Sequence, residues 1–205
     1  MKKFLHRVII LALCFLMVGC FEEEKDEKPV IYLYPEQKTN IRVELDYSGK
    51  LTTTYPDYED GWEITAYPDG RLIDKKNNEY YCLFWEGEGS TDYDMSKGFV
   101  VAGKETKRFL EEKLSILGLT PREQNEFIIY WLPKMEHNKY NLISFQQEKY
   151  TDHAKLNIQP EPDSLLRVFM VYRPLQKPQT IEEQKLETFE RKGFTVVEWG
   201  GCELN

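Results

Sequence analysis

Residues 41–47 read Ile-Arg-Val-Glu-Leu-Asp-Tyr, placing Ile41, Val43 and Leu45 on one side of an alternation and Arg42, Glu44 and Asp46 on the other. Successive side chains of a strand point to opposite faces, so this stretch specifies a strand in a sheet with one wet face. On either side, "VIYLY" (30–34), "LTTTYP" (51–56), "WEITAYP" (62–68) and "YYCLFWEG" (80–87) are rich in β-branched and aromatic residues. Turn signals separate them at Ser48-Gly49, Asp60-Gly61, Asp69-Gly70 and Asn77-Asn78.

The period changes after residue 100. Residues 104–117 set Phe109, Leu110, Leu114 and Leu117 on one helical face, and Gly118 stands where a C-terminal cap belongs. Thr120-Pro121-Arg122-Glu123 is a capping box with proline at the first helical position, and Pro133 sets the expected limit of its helix. Strands return near 140–146, 154–159 and 164–172, the last apolar on both faces and so expected to be central. A second capping box, Thr180-Ile181-Glu182-Glu183, predicts a helix ending at Arg191-Lys192-Gly193, before a closing strand at 194–199. Strands first, then helices mixed with strands, predict an α+β fold with a mainly antiparallel sheet and two or three helices. A β-sandwich with helical insertions is the alternative.

The N-terminus reads as an address. Lys2, Lys3 and Arg7 precede an apolar run of eleven residues, Val8 to Val18, which Gly19-Cys20 closes. A helix needs ~20 apolar residues to cross a bilayer, so the run fits a secretory signal instead. "LMVGC" resembles the lipobox of bacterial lipoprotein signal peptides, which implies lipidation of Cys20 and cleavage before it. The organisation expected is a signal peptide over 1–19, a lipidated cysteine with an acidic tether over 20–28, and one globular domain over 29–205. The mature chain would be held by its acyl chains on the extracytoplasmic face of the cell membrane.

Composition narrows the partners. The chain is 41% hydrophobic and 14% aromatic, enough for a packed core rather than disorder. Loss of residues 1–19 removes three of 27 basic residues and none of 35 acidic ones, leaving a net charge of −11. That field repels nucleic acid, and no basic run offsets it. His137 and His153 lie in no metal-ligand pattern, and there is no CxxC, G-x-S-x-G or phosphate-binding loop, so no metal or cofactor is expected. His153, in "YTDHAKL", reads as an exposed loop residue.

Four ordered runs, "KPVIYLYP" (28–35), "LFWEG" (83–87), "FIIYWLP" (127–133) and "PDSLLRVFMVY" (162–172), resemble a family of uncharacterised exported bacterial lipoproteins with fungal relatives. The resemblance spans nearly all of 28–199 and supports a single domain. It brings no activity and no catalytic residue.

The candidate site comes from a mirrored pair of strands. If "CLFWEG" (82–87) and "VEWGGC" (197–202) pair antiparallel with Cys82 opposite Cys202, then Trp85 faces Trp199 and Glu86 faces Glu198. One register would build a disulfide, a tryptophan pair and a carboxylate pair. The disulfide would close a loop of roughly 120 residues, contributing ~3–5 kcal/mol. Tryptophan faces stack on sugar rings, and paired carboxylates accept hydroxyls or act as acid and base in glycoside hydrolysis. The competing reading places both tryptophans in the core and the glutamates at strand ends. Arg167, inside "SLLRVFMVY", needs a carboxylate partner if buried, with Glu86, Glu126 and Glu198 the candidates. The functional expectation is a non-catalytic envelope domain that binds a glycan or an envelope protein, or is structural. The alternative is a surface hydrolase using Glu86 and Glu198.

Overall fold

The structure, a computed structural model, describes residues 24–89 and 91–204. The first half holds β1 (Glu24–Tyr34), β2 (Thr39–Tyr47), β3 (Lys50–Tyr55), β4 (Trp62–Ala66), β5 (Leu72–Ile73), β6 (Glu79–Tyr80) and β7 (Leu83–Gly89). Then come β8 (Lys97–Ala102), α1 (Thr106–Ile116), α2 (Pro121–Met135), β9 (Tyr140–Gln146) and α3 (Glu148–His153). The chain closes through β10 (Ala154–Gln159), β11 (Ser164–Leu175), β12 (Glu182–Glu183) and β13 (Thr195–Glu203).

These form two sheets. The larger runs β12-β8-β9-β11-β13-β1-β7-β3, and the smaller β10-β2-β4-β5-β6. Pairing is antiparallel except for β11 with β13 and β12 with β8. The fold is therefore α+β, with the two sheets stacked as a sandwich and α1 and α2 on the outer face of the larger sheet. Two cores result. Ile31, Leu33, Val43, Trp62, Trp85 and Phe169 fill the space between the sheets. Val30, Tyr32, Leu114, Phe127, Trp131 and Trp199 fill the space under the helices. The run 30–34 is apolar at nearly every position because β1 lies mid-sheet and buries both faces.

Both helices of that layer form where the 3.6-residue period placed them. α1 buries Thr106, Leu110 and Leu114, four residues apart, and ends in a Schellman motif. There Leu119 N–H donates to Leu114 O (3.1 Å), Gly118 N–H donates to Ser115 O (3.1 Å), and Gly118 has φ +94°. The Thr120–Glu123 capping box starts α2, which buries Glu123, Phe127, Trp131 and Met135. α2 runs two residues past Pro133, the limit its sequence proposed. The carbonyl that loses its donor there belongs to Ile129, which is 74% exposed and open to water.

Two expectations fail. The helix predicted over 180–193 is absent. Glu182–Glu183 instead add a short strand to β8, and the Gln184 side-chain amide bonds Phe145 N (2.9 Å) and O (2.6 Å) at the uncovered end of β9. Leu186 and Phe189 pack on the helix-side core, so burial overrides the local helical signal. The acidic tether is also shorter than expected: from Glu24 the chain is strand, paired with β7 from Glu24↔Gly89 through Asp26↔Gly87. A bulge between Asp26 and Val30, with Lys28 at φ +60°, switches the face of β1. Asp26 consequently points between the sheets, whereas Val30, Tyr32 and Tyr34 point toward the helices.

Candidate functional site

The mirrored-strand site does not exist. β1 lies between β7 and β13, pairing Ile31 with Leu83 on one side and with Glu198 on the other. Trp85 and Glu198 face the inter-sheet core, whereas Trp199 lies in the helix-side core, its ring 5.3 Å from Phe127. Glu86 projects to the helix side, where it accepts from Lys28 N–H (3.3 Å). The sheet thus separates the two carboxylates, and the acid–base pair has no geometric basis. Cys82 packs on the helix-side core and Cys202 in the inter-sheet core, so no disulfide joins them. Burial pushes the Cys82 thiol up to about 12. Cys20 and the signal peptide lie outside the described residues.

Arg167 does find its carboxylate. β11 and β13 pair in parallel with Arg167 beside Glu198. Arg167 Nε and Nη2 lie 2.7 and 2.6 Å from Glu198 Oε2, and Nη1 donates to Ala154 O (2.6 Å). Trp85 Nε1 donates to Glu198 Oε1 (3.2 Å), and Glu198 is fully buried. The guanidinium sits 4.6 Å from the Tyr150 ring, which stacks on Phe169 at 3.9 Å. Burial alone would lower the pKa of Arg167; the Glu198 charge outweighs it and leaves the pKa raised. Burial, then the same carboxylate, pushes the Tyr150 hydroxyl well up. This network is closed off from solvent and serves the core.

Two further arrangements have chemical character. At the start of β1, the buried Asp26 carboxylate accepts from Tyr47 Oη (2.8 Å) and Tyr93 Oη (2.7 Å) and lies 3.0 Å from His153 Nε2. His153 Nδ1 in turn contacts Ser48 Oγ, whose hydroxyl is shared between Nδ1 and His153 O, to which it donates at 3.1 Å. Ser48 and His153 meet because the β2–β10 ladder continues past Tyr47↔Ala154, with Ser48 N–H donating to His153 O (2.9 Å). Burial and then the Asp26 charge push both tyrosine hydroxyls up, so they remain donors. None of this was expected. The charge run over 21–28 disguised Asp26, and nothing local to "TDHA" tells that its histidine faces inward. The readable signal was His153 standing directly before the strand 154–159, next to the hairpin turn at Ser48.

At the other end of β1 is a cleft of about 400 Å³ between β1, the β5–β6 hairpin and the start of α2. Tyr32, Tyr34, Tyr80 and Tyr81 line it with Arg71, Arg122, Asp69 and Glu79. Tyr32 and Tyr34, two apart on one face of β1, are near-parallel at 6.2 Å. Tyr81 is 48% exposed, lies 6.5 Å from Tyr32, and has the Arg122 guanidinium 5.5 Å from its ring. Arg71 is 3.7 Å from Glu79, and Arg122 is 3.6 Å from Glu126. Tyr32 Oη and Tyr34 Oη donate inward to Glu126 (2.6 Å) and Glu123 (2.9 Å), fixing their rings. Gly70, at φ +86°, lets the β4–β5 turn close over Tyr34: a Cβ there would be 2.7 Å from the ring. The strand runs containing these tyrosines were legible; their convergence across three elements was not.

Among the described residues, no three His, Cys, Asp or Glu side chains gather as a metal site, and no helix is long and apolar enough to cross a membrane. No family model matches the sequence, and no solved structure matches it. A protein of Butyrivibrio fibrisolvens, named "Uncharacterized protein in bglA 3'region", is 39% identical over 95 residues, covering 42% of this chain and 98% of that protein. The chain belongs to the family of that Butyrivibrio protein.

Proposed function

We propose that the protein is a lipid-anchored, extracytoplasmic binding domain that takes a glycan of the cell envelope in the tyrosine-lined cleft. The observation that carries this is the cleft itself: tyrosine faces set beside two guanidinium groups and two carboxylates. The C–H face of a sugar ring packs against a tyrosine face at little entropic cost, because tyrosine has few rotors. Arginine and carboxylate groups then bond vicinal hydroxyls in pairs. The volume, about 400 Å³, suits one or two sugar rings.

Placement supports the same reading. Cys20 is four residues before Glu24. β1 then runs eleven residues from Glu24 to Tyr34. At ~3.3 Å per residue that strand carries its far end ~30 Å from its start. A protein anchored at Cys20 would hold the cleft away from the bilayer, toward the envelope.

The test is titration of the detergent-solubilised full chain with cell-wall oligosaccharides, followed by calorimetry. Tyr81→Ala and Arg122→Ala are expected to weaken binding at least tenfold, with far-UV circular dichroism unchanged. Parent-like binding by both variants, or no glycan bound by the folded parent, removes the proposal. Mass spectrometry of the native product showing an unmodified Cys20 removes the anchor.

A further inference from the structure

The geometry points to a second, independent site: Ser48, His153 and Asp26 form an acyl-transfer centre that cleaves carboxylic esters at the tether end of the domain. Three elements supply it. Asp26 is on the bulged start of β1, Ser48 at the β2–β3 turn, and His153 at the end of α3. Their order of burial matches their roles. Asp26 and His153 are buried, whereas Ser48 is exposed to substrate and water.

The hydrogen-bond chain fixes the proton. Asp26 accepts from Tyr93 at Oδ1 and from Tyr47 at Oδ2, and a carboxylate oxygen has two lone pairs, so Oδ2 also accepts from His153 Nε2, which is assigned the N–H. Nδ1 is then the lone pair that faces Ser48 Oγ. Either imidazole nitrogen serves as a base if the other is pinned by a carboxylate; here Nδ1 serves and Nε2 is pinned. The groups facing His153 are Asp26, Ser48 and Tyr47, whose ring is 4.7 Å away.

The chemistry balances with water as the only co-reactant. Ser48 Oγ adds to the ester carbonyl carbon while its proton passes to His153 Nδ1, and the carbonyl pair moves onto oxygen. That pair returns, the bond to the alkoxy oxygen breaks, and the leaving alcohol takes the proton from Nδ1. Water then adds to the acyl-serine, giving a proton to Nδ1. Collapse restores Ser48 Oγ–H from that proton and releases the carboxylic acid. His153 is the base, and Asp26 is a positioning residue that holds the ring and stabilises the imidazolium.

A fluorophosphonate probe applied to the full chain tests this, with the adduct located by peptide mass spectrometry. The expected result is one adduct, at Ser48, absent in Ser48→Ala and formed at least ~100-fold more slowly in His153→Asn. Asp26→Asn should also slow labelling, and Asp26→Glu should restore it in part with circular dichroism unchanged; a purely structural role gives no such rescue. Two esters identify the substrate source: p-nitrophenyl butyrate in solution, and phosphatidylglycerol in vesicles. At least one is hydrolysed by the parent and not by Ser48→Ala. Because parent labelling needs no variant to fold, it decides alone: no Ser48 adduct overturns the proposal. So does hydrolysis of neither ester.

Discussion

Replacing Glu198 by Leu, Arg167 by Met, and both together tests whether the buried pair belongs to the core or to a binding site. In Glu198→Leu the Arg167 guanidinium, 7% exposed, keeps its charge and loses its carboxylate. Breaking one side of a buried pair costs ~3–5 kcal/mol. Trp85 Nε1 loses its acceptor as well, and an orphaned buried donor costs ~1–3 kcal/mol. In Arg167→Met the carboxylate is stranded in a fully buried position and Ala154 O loses a donor. Each single variant should therefore lose ~4–8 kcal/mol, against a total of ~5–15 kcal/mol for a domain. The double variant removes both charges and keeps apolar bulk, leaving the indole N–H and the Ala154 carbonyl, for ~2–4 kcal/mol.

Urea unfolding followed by circular dichroism reads these values directly. With a slope of ~2–3 kcal/mol per molar, each single variant lowers the midpoint by ~1.3–4 M, and the double variant lowers it less than either. The double variant should still bind glycan as the parent does, since the pair lies in the inter-sheet core and not in the cleft. Additivity of the single effects within ~0.5 kcal/mol, or single losses below ~1 kcal/mol, refutes a closed, desolvated pair. Loss of glycan binding in the folded double variant refutes the assignment of Arg167 to structure.

Burial raises the hydroxyls of Tyr32, Tyr93 and Tyr150 above the ordinary value near 10, so both states are protonated below pH ~10 and stability is intact there. Above it the unfolded chain sheds protons that the folded one keeps, and stability falls by ~1.4 kcal/mol per pH unit for each such tyrosine; absorbance at 295 nm should rise in one step with loss of circular dichroism, and gradual ionisation of a folded protein contradicts this. Gly70→Ala, forced to φ +86° with its Cβ against Tyr34, should cost ~1–3 kcal/mol and perturb the cleft, seen as a lower melting temperature and weaker glycan binding. Cys82, its thiol pushed up to about 12, should react with iodoacetamide at pH 8 far more slowly than an unfolded control.

What sequence gave away was local. Alternation in 41–47 marked β2, four-residue spacing of Leu110 and Leu114 marked α1, and the Thr120–Glu123 box marked the start of α2. The need of Arg167 for a carboxylate was also readable, because burying a bare guanidinium is prohibitive. Strand order was not. A register argument sets which residues oppose each other if two strands are neighbours, and says nothing about whether a third lies between. With β1 inserted, Phe84 and Trp199 both align on Val30, and the expected Trp85–Trp199 pair becomes two tryptophans on opposite faces. The capping box at 180 failed for a related reason: the uncovered end of β9 and the helix-side core together offered residues 182–189 more than a helix did.

The bulge in β1 is where these failures meet. A strand without it would keep even-numbered residues on one face, and Asp26 would join Val30, Tyr32 and Tyr34 under the helices, away from Tyr47, Tyr93 and His153. Pro29 cannot donate to a ladder, and Gly200 across from it leaves only 3.0 Å between a hypothetical Cβ and the proline. Those two residues admit one extra position, Lys28 turns left-handed, and the preceding carboxylate swings between the sheets to meet Tyr47, Tyr93 and His153. The same strand, beyond the bulge, then offers Tyr32 and Tyr34 to the cleft from its opposite face. One irregularity therefore sets both ends of the strand: it aims the carboxylate at the histidine near the tether and frees the helix-side face for tyrosines at the far end.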